Sequence, residues 1–239
     1  FQEEQDAAWN TYVMVTKEPL KDIFSEDLKL PESLGIYLED LLEEWEDVRQ
    51  GAQVTVGTLM SQYYSRNETL CVPVLEISDA EEKPQIGGFC VLFGLQPMGE
   101  LSLREGEQLM LLQNNLKRYA FTMQNGTRFL LEQVQTEREI TAAVDEAGNQ
   151  YPVLTVTVRG NSTVSALSWD ADQEDQRQQG KQELADRLLT FLTTQQKEAG
   201  MDLANSFLLL AGQERSLWEQ YREEPAQYLS DLKIRLFVE

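Results

Sequence analysis

The chain has 239 residues and a formal charge of −21, from 41 acidic and 20 basic side chains, with 41% hydrophobic residues and no histidine. The apolar content excludes a disordered chain, the acidic balance excludes a nucleic-acid binder, and the missing imidazole excludes histidine triads, HExxH zinc sites and a histidine pH switch. Residues 1–85 hold 19 acidic and 6 basic side chains, and residues 86–239 hold 22 and 14. The excess reads as a solvated, self-repelling surface, with an acidic face for a basic partner or a cation as the alternative.

Residues 1–10 (FQEEQDAAWN) have neither an initiator methionine nor the basic start and apolar core of a signal peptide. The chain is therefore expected to be a mature product or a piece of a longer one. No apolar run reaches the ~18 residues of a membrane-spanning helix. Tyr12–Thr16 predicts a short buried strand, and Pro19 opens a helical turn over Leu20–Phe24. Leu34, Tyr37, Leu38, Leu41, Leu42 and Trp45 recur at spacings of three and four, with Glu39, Asp40, Glu43 and Glu44 between them, which predicts an amphipathic helix. Val54–Val56 is extended and Thr58–Ser65 helical. Leu70–Ile77 and Ile86–Phe93 are apolar strands, and the polar, proline-containing stretch 78–85 between them marks a domain boundary.

Ser102-Leu103-Arg104-Glu105 is a capping box and predicts a helix to about Lys117 on Leu109, Leu112 and Leu116. From Thr127 to Ser168 the period changes to two, as in Leu154, Val156 and Val158. Turn sequences at 145–149 and at Gly160-Asn161 divide this stretch into about four antiparallel strands. A long helix follows, with Leu184, Leu188, Leu192 and Gln195 on one stripe, and ends before Gly200. Asp202 caps a further helix carrying Leu203, Phe207 and Leu210. Ser216–Tyr221 adds a turn with Trp218. The final strand alternates through Leu232, Ile234, Leu236 and Val238 and needs neighbours in the earlier sheet. The predicted class is α+β and multi-domain, with antiparallel or mixed sheets packed against helices and a C-terminal β-β-β-α-α-β unit. The expected domains are 1–85, 86–126 and 127–239.

Little here carries chemistry. Asp170-x-Asp172-x-Glu174-Asp175 resembles the opening of a calcium loop. Position six is Asp175 instead of glycine, however, and position twelve is Lys181 instead of glutamate, so a helix start is the better reading. Glu43, Glu44, Glu46 and Asp47 form an acidic run on the outer face of a helix, which is a solvated pattern and not a catalytic pair. Phosphate-cradling and nucleophile-elbow motifs are absent, and Gly87-Gly88 is too short to replace them. Trp45, Trp169, Trp218 and Tyr221 are read as core before ligand platform. Cys71 and Cys90 lie in neighbouring strands; a disulfide is possible, with two buried inert thiols as the favoured reading. No metal site or cofactor is expected.

Several segments carry a resemblance: Gly88–Phe93, then Met98-Gly99-Glu100-Leu101-Ser102, then Glu105; the helix ending in Gln195-Gln196 followed by Asp202; Trp218; and the alternating Leu232–Val238 strand. In this order they resemble the C subunit of bacterial spore germination receptors, the Ger(x)C lipoprotein family. Tyr12–Phe24, Leu34–Trp45 and Leu70–Leu75 are similar to the latter half of that family's first domain. The matching positions are Phe93, Gly99, Leu101, Glu105, Gln195, Asp202 and Trp218. After Asp202 the family's glycine-rich turn is replaced by Leu203-Ala204-Asn205-Ser206. The resemblance implies a non-enzymatic lipoprotein of spore germination on the outer face of the spore inner membrane. Membrane-embedded A and B receptor subunits would be its partners, and a signal peptide and lipid-bearing cysteine would lie ahead of this chain. The alternative is an extracytoplasmic solute- or cation-binding lipoprotein.

Overall fold

Two apolar strands joined by a short polar link form a hairpin, and this chain does so twice, each time at the centre of a four-stranded sheet. The computed structural model describes residues 9–25, 28–49, 54–65, 69–78, 80–93, 95–165, 173–197 and 199–239. It divides into two units, Phe1–Glu107 and Gln108–Glu239. The predicted α+β class holds: both sheets are mixed and both pack against helices.

The first unit contains β1 (Val15–Thr16), α1 (Leu20–Ile23), α2 (Leu34–Arg49), α3 (Val56–Ser65), β2 (Thr69–Ile77), β3 (Pro84–Phe93), β4 (Gln96–Ser102) and the start of α4 (Leu103–Leu112). The sheet order is β1-β2-β3-β4, with β1 parallel to β2 and the other pairs antiparallel. Leu70 and Val72 form a core with Val54, and Val13, Val15, Leu59 and Leu92 pack against it. Burying each large side chain of this kind contributes about 1.5–3 kcal/mol. The stripe on α2 faces inward as expected, with Leu42 buried and Glu39 and Asp40 exposed. The Tyr37 hydroxyl donates to the Pro84 carbonyl at 3.0 Å, which ties α2 to the start of β3. The polar stretch 78–85, expected as a domain boundary, lies within and beside the link between two strands that pair from Thr69↔Phe93 to Ile77↔Pro84. The division between units falls instead inside α4.

That helix stops at Leu112, earlier than the expected Lys117. Asn114 takes a left-handed φ of 63°, and the Asn115 N–H closes back on the Met110 carbonyl at 2.8 Å. Asparagine tolerates this conformation, and the closing bond satisfies a helix-end carbonyl.

The second unit contains β5 (Arg118–Thr122), β6 (Arg128–Val144), β7 (Gln150–Ser165), α5 (Gln173–Lys197), α6 (Ser206–Gln213), α7 (Arg215–Tyr221), α8 (Pro225–Asp231) and β8 (Lys233–Val238). Its sheet order is β5-β6-β7-β8, and β8 runs parallel to β7. A parallel pair needs a long crossover, which α5 to α8 supply. The stretch expected to hold about four strands holds two long ones. Gly160, expected in a turn, lies inside β7 opposite an irregularity between Glu132 and Gln135 of β6. There Gln133 has a φ of 54°, and a Cβ on Gly160 would stand 2.8 Å from the Glu132 carbonyl oxygen. The extra residue of this bulge flips the pleat, so Phe129 and Leu131 before it and Val134 and Ile140 after it are all buried. Leu184, Leu188 and Leu192 of α5 complete this core with Leu154, Val156 and Val158.

Candidate functional site

Three charged side chains in the first unit surround the paired glycines of β3. Lys17 follows β1, Glu76 ends β2 and Glu100 sits in β4; with Val74, Gly87, Gly88, Phe89, Leu101 and Ser102 they line a cleft of about 300 Å³. Gly87 is the unpaired residue of a bulge, because the register passes from Val74↔Gly88 to Leu75↔Ile86. Gly88 is required sterically, whereas a side chain at Gly87 would displace only the end of the exposed Glu76 side chain. A Cβ on Gly87 would stand 2.1 Å from the Glu76 carboxyl carbon, and one on Gly88 would stand 2.5 Å from the Leu101 carbonyl oxygen. The Lys17 ammonium pairs with the Glu100 carboxylate, and this bond raises the lysine pKa above its ordinary value. Glu76 accepts from the Gln85 amide at 3.0 Å. The Lys17–Glu100 pair is solvent-exposed, so water and salt screen it. Sequence reasoning missed Lys17, Glu76 and Glu100, since only strand register brings their three strands together.

The seven family-matching positions fall into two groups, one in each unit. In the first, Leu101 is buried opposite Phe89, and Gly99 pairs with Val91. Phe93 ends β3 with 42% of its surface exposed. Glu105 completes the predicted capping box: its carboxylate accepts from the Ser102 N–H at 2.8 Å and the Ser102 hydroxyl at 2.7 Å. In the second group, the Gln195 carbonyl accepts from the Met201 N–H at 3.0 Å and closes the end of α5. The Asp202 carboxylate accepts from the Ser206 N–H at 2.9 Å, the Ser206 hydroxyl at 2.7 Å and the Phe207 N–H at 2.8 Å. It caps α6 from outside, past Asn205, which takes a left-handed φ of 51°. The Arg138 guanidinium donates to the Ala204 carbonyl at 2.7 Å beneath this turn. Trp218 is half-buried with its ring 4.9 Å from that of Phe207, which in turn lies 5.1 Å from Tyr228. Burial pushes the Tyr221 hydroxyl up to about 12, helped by its bond to Asp231.

Glu105 and Asp202 cap helices, Gln195 closes a helix end, and Leu101 and Trp218 pack against neighbouring side chains. Among the described residues no group of three acidic or cysteine side chains is placed to hold a metal ion. Asp170, Asp172 and Trp169, and the side chains of Trp45, Glu43, Glu44, Glu46 and Asp47, lie outside the described part. Glu174 sits in the first turn of α5 and accepts from Arg177 and Gln178 at 3.0 and 2.9 Å, which is a helix-start role.

The possible Cys71–Cys90 bridge is not formed: both thiols are free. The strands pair as expected, but the register sets Cys71 opposite Val91 and Cys90 opposite Val72. That one-residue offset puts the two side chains on opposite faces of the sheet. Burial pushes the Cys71 thiol up to about 12, and burial together with the Glu100 charge raises Cys90. Both are protonated and poorly nucleophilic at neutral pH. With a thiol reagent at about pH 8, the folded chain is expected to label slowly, Cys90 before Cys71. Fast labelling of Cys71 would contradict the packing, and a reductant-sensitive mobility shift would contradict the register.

The geometry thus defines a two-unit α+β protein whose shared positions are architectural. Residues 1–77 match the family model described as "Spore germination protein N-terminal domain". The fold over nearly the whole chain is similar to that of a solved protein titled "Crystal Structure of the GerBC protein", with a TM-score of 0.72 and 12% identity, covering 96% of this chain and 68% of that one. Both findings agree with the resemblance to the Ger(x)C family read from the sequence: residues 1–77 are similar to that N-terminal domain, and the fold is similar to that of GerBC. No curated protein matches the sequence.

Proposed function

We propose that the chain is the ectodomain of a non-enzymatic accessory subunit of a nutrient germinant receptor in spore germination, acting through protein contacts. The observation that carries this reading is the fold match across 96% of the chain, joined to a germination-protein domain over residues 1–77. It sits at the outer face of the spore inner membrane, held by a lipid on a cysteine outside this chain and by membrane-embedded A and B subunits. No described helix is long and apolar enough to cross a membrane. The charge of −21 repels anionic lipid, so lipid and partners are needed for attachment.

The test is purification of the full-length gene product from spore membranes. The lipid-modified protein is expected to bring transporter-like subunits with it; recovery without lipid and without those subunits overturns the reading. The cleft beside Lys17, Glu76 and Glu100 favours a second reading, an extracytoplasmic solute- or cation-binding lipoprotein. Calorimetric titration of the chain with calcium, amino acids and sugars separates the two. Micromolar affinity for one of these supports the second; no heat supports the first.

A further inference from the structure

The sheet of the second unit buries Leu154, Val156 and Val158 of β7 on one face, and the exposed side chains of the other face carry their charges in a self-complementary order. From β6 come Glu137, Glu139 and Thr141, and from β8 come Lys233, Arg235 and Phe237, all exposed. Half of the Phe237 surface is open. Between them β7 presents the short side chains of Thr155 and Thr157. The register makes two rows across the strands: Glu139, Thr155, Arg235, and Glu137, Thr157, Phe237. One column is acidic and the opposite column basic; the middle is flat at Thr155 and Thr157, between Tyr151 and the buried Val153 on one side and Arg159 on the other.

Intramolecular pairing does not use up this pattern. Arg159 takes both Glu137 and Glu239, and Lys233 lies 4.1 Å from the centre of the Tyr151 ring. Glu139 and Arg235 make no ion pair among the described residues. A uniformly basic partner would meet Lys233 and Arg235, and a uniformly acidic one would meet Glu137 and Glu139; each would be repelled along one column. A second copy of the same face is repelled by neither. Set face to face about a two-fold axis parallel to β7, each copy lays β6 over β8 of the other. Glu139 then meets Arg235 of the second copy, and the symmetry makes the contact twice.

We propose that the exposed face of β6, β7 and β8 is a homodimer interface, joined by reciprocal Glu139–Arg235 pairs and closed over Phe237. Three strands offer less area than a standard interface of about 800 Å² per partner, so the dimer is reversible. The like net charges of the two copies oppose it at low ionic strength and are screened at about 0.15 M salt.

Sedimentation equilibrium of the chain at that ionic strength, from micromolar to submillimolar concentration, is expected to show a monomer–dimer equilibrium. Arg235→Glu and Glu139→Arg should each weaken it by about tenfold or more, because each brings like charges together. An equimolar mixture of the two single variants should dimerise again, since every cross-copy contact then pairs opposite signs, and so should the double variant. These residues are exposed, and circular dichroism of each variant checks that the fold is kept. A chain that stays monomeric throughout, a dimer indifferent to the single reversals, or a mixture as weak as its components overturns the proposal.

Discussion

Gly180→Ala is expected to destabilise the second unit by about 1–3 kcal/mol through overpacking, although helix propensity alone predicts a gain of about 1 kcal/mol at this position. Gly180 lies inside α5 and is buried. A Cβ there would stand 2.2 Å from Cδ2 and 2.6 Å from Cε2 of Phe129. The ring has no room to retreat: Phe129 is fully buried and stacks on Phe121 with centroids 5.3 Å apart. Either the helix lifts from the sheet or the ring leaves its rotamer. Gly106→Ala repeats the test in the first unit, where the added carbon would stand 2.2 Å from the Phe89 ring. Urea unfolding of each variant measures the effect. An unchanged or raised midpoint would show that helix-to-sheet packing at these glycines is looser than described.

Asp202→Ala should cost about 2–3 kcal/mol, at or above the upper end for a helix cap. Three donors lose their acceptor together: the Ser206 N–H, the Ser206 hydroxyl and the Phe207 N–H. Ser206 is fully buried, so water does not replace the lost bonds there. The carboxyl also makes the unit pH-sensitive. Burial raises its pKa, against the opposing pull of the bonds from Phe207 and Ser206 and the Arg138 charge. With a raised folded value, the folded chain holds the proton more tightly than the unfolded one. The part of the stability that depends on this proton is therefore complete below the ordinary aspartate value of about 4 and is lost as pH rises through the folded value, while the three cap hydrogen bonds remain. Asp202→Asn should remove that slope. Unfolding midpoints of the native chain and this variant, measured across the acidic range, read the difference; identical slopes would show that folding does not raise the carboxyl's pKa.

Much of the architecture could be read from periodicity. The α2 stripe from Leu34 to Leu42, the α5 stripe from Leu184 to Leu192 and the alternation of β7 and β8 lie where their spacings put them. Three elements escaped for physical reasons. β4 carries Pro97 and Gly99 and does not alternate, and its pairing with β3 supplies what its own residues lack. β5 has five residues, too few to show a period. α8 is announced only by Pro225 at its first turn. The capping box at Ser102 and Glu105 and the role of Asp202 were legible because capping is local. The cleft was not, because Lys17, Glu76 and Glu100 are distant in sequence and meet through register.

The amino-acid sequence by itself determined the α+β class, the long helices, the acidic surface and the absence of histidine chemistry, since each follows from composition or from contacts within a few residues. Tertiary structure decided the rest. The one-residue offset that separates Cys71 from Cys90, the bulge that turns Gly160 from a turn into a strand, and the parallel return of β8 beside β7 all depend on pairing between distant segments. Register is chosen by which side chains can be buried together, and a shift of one residue moves every side chain to the other face.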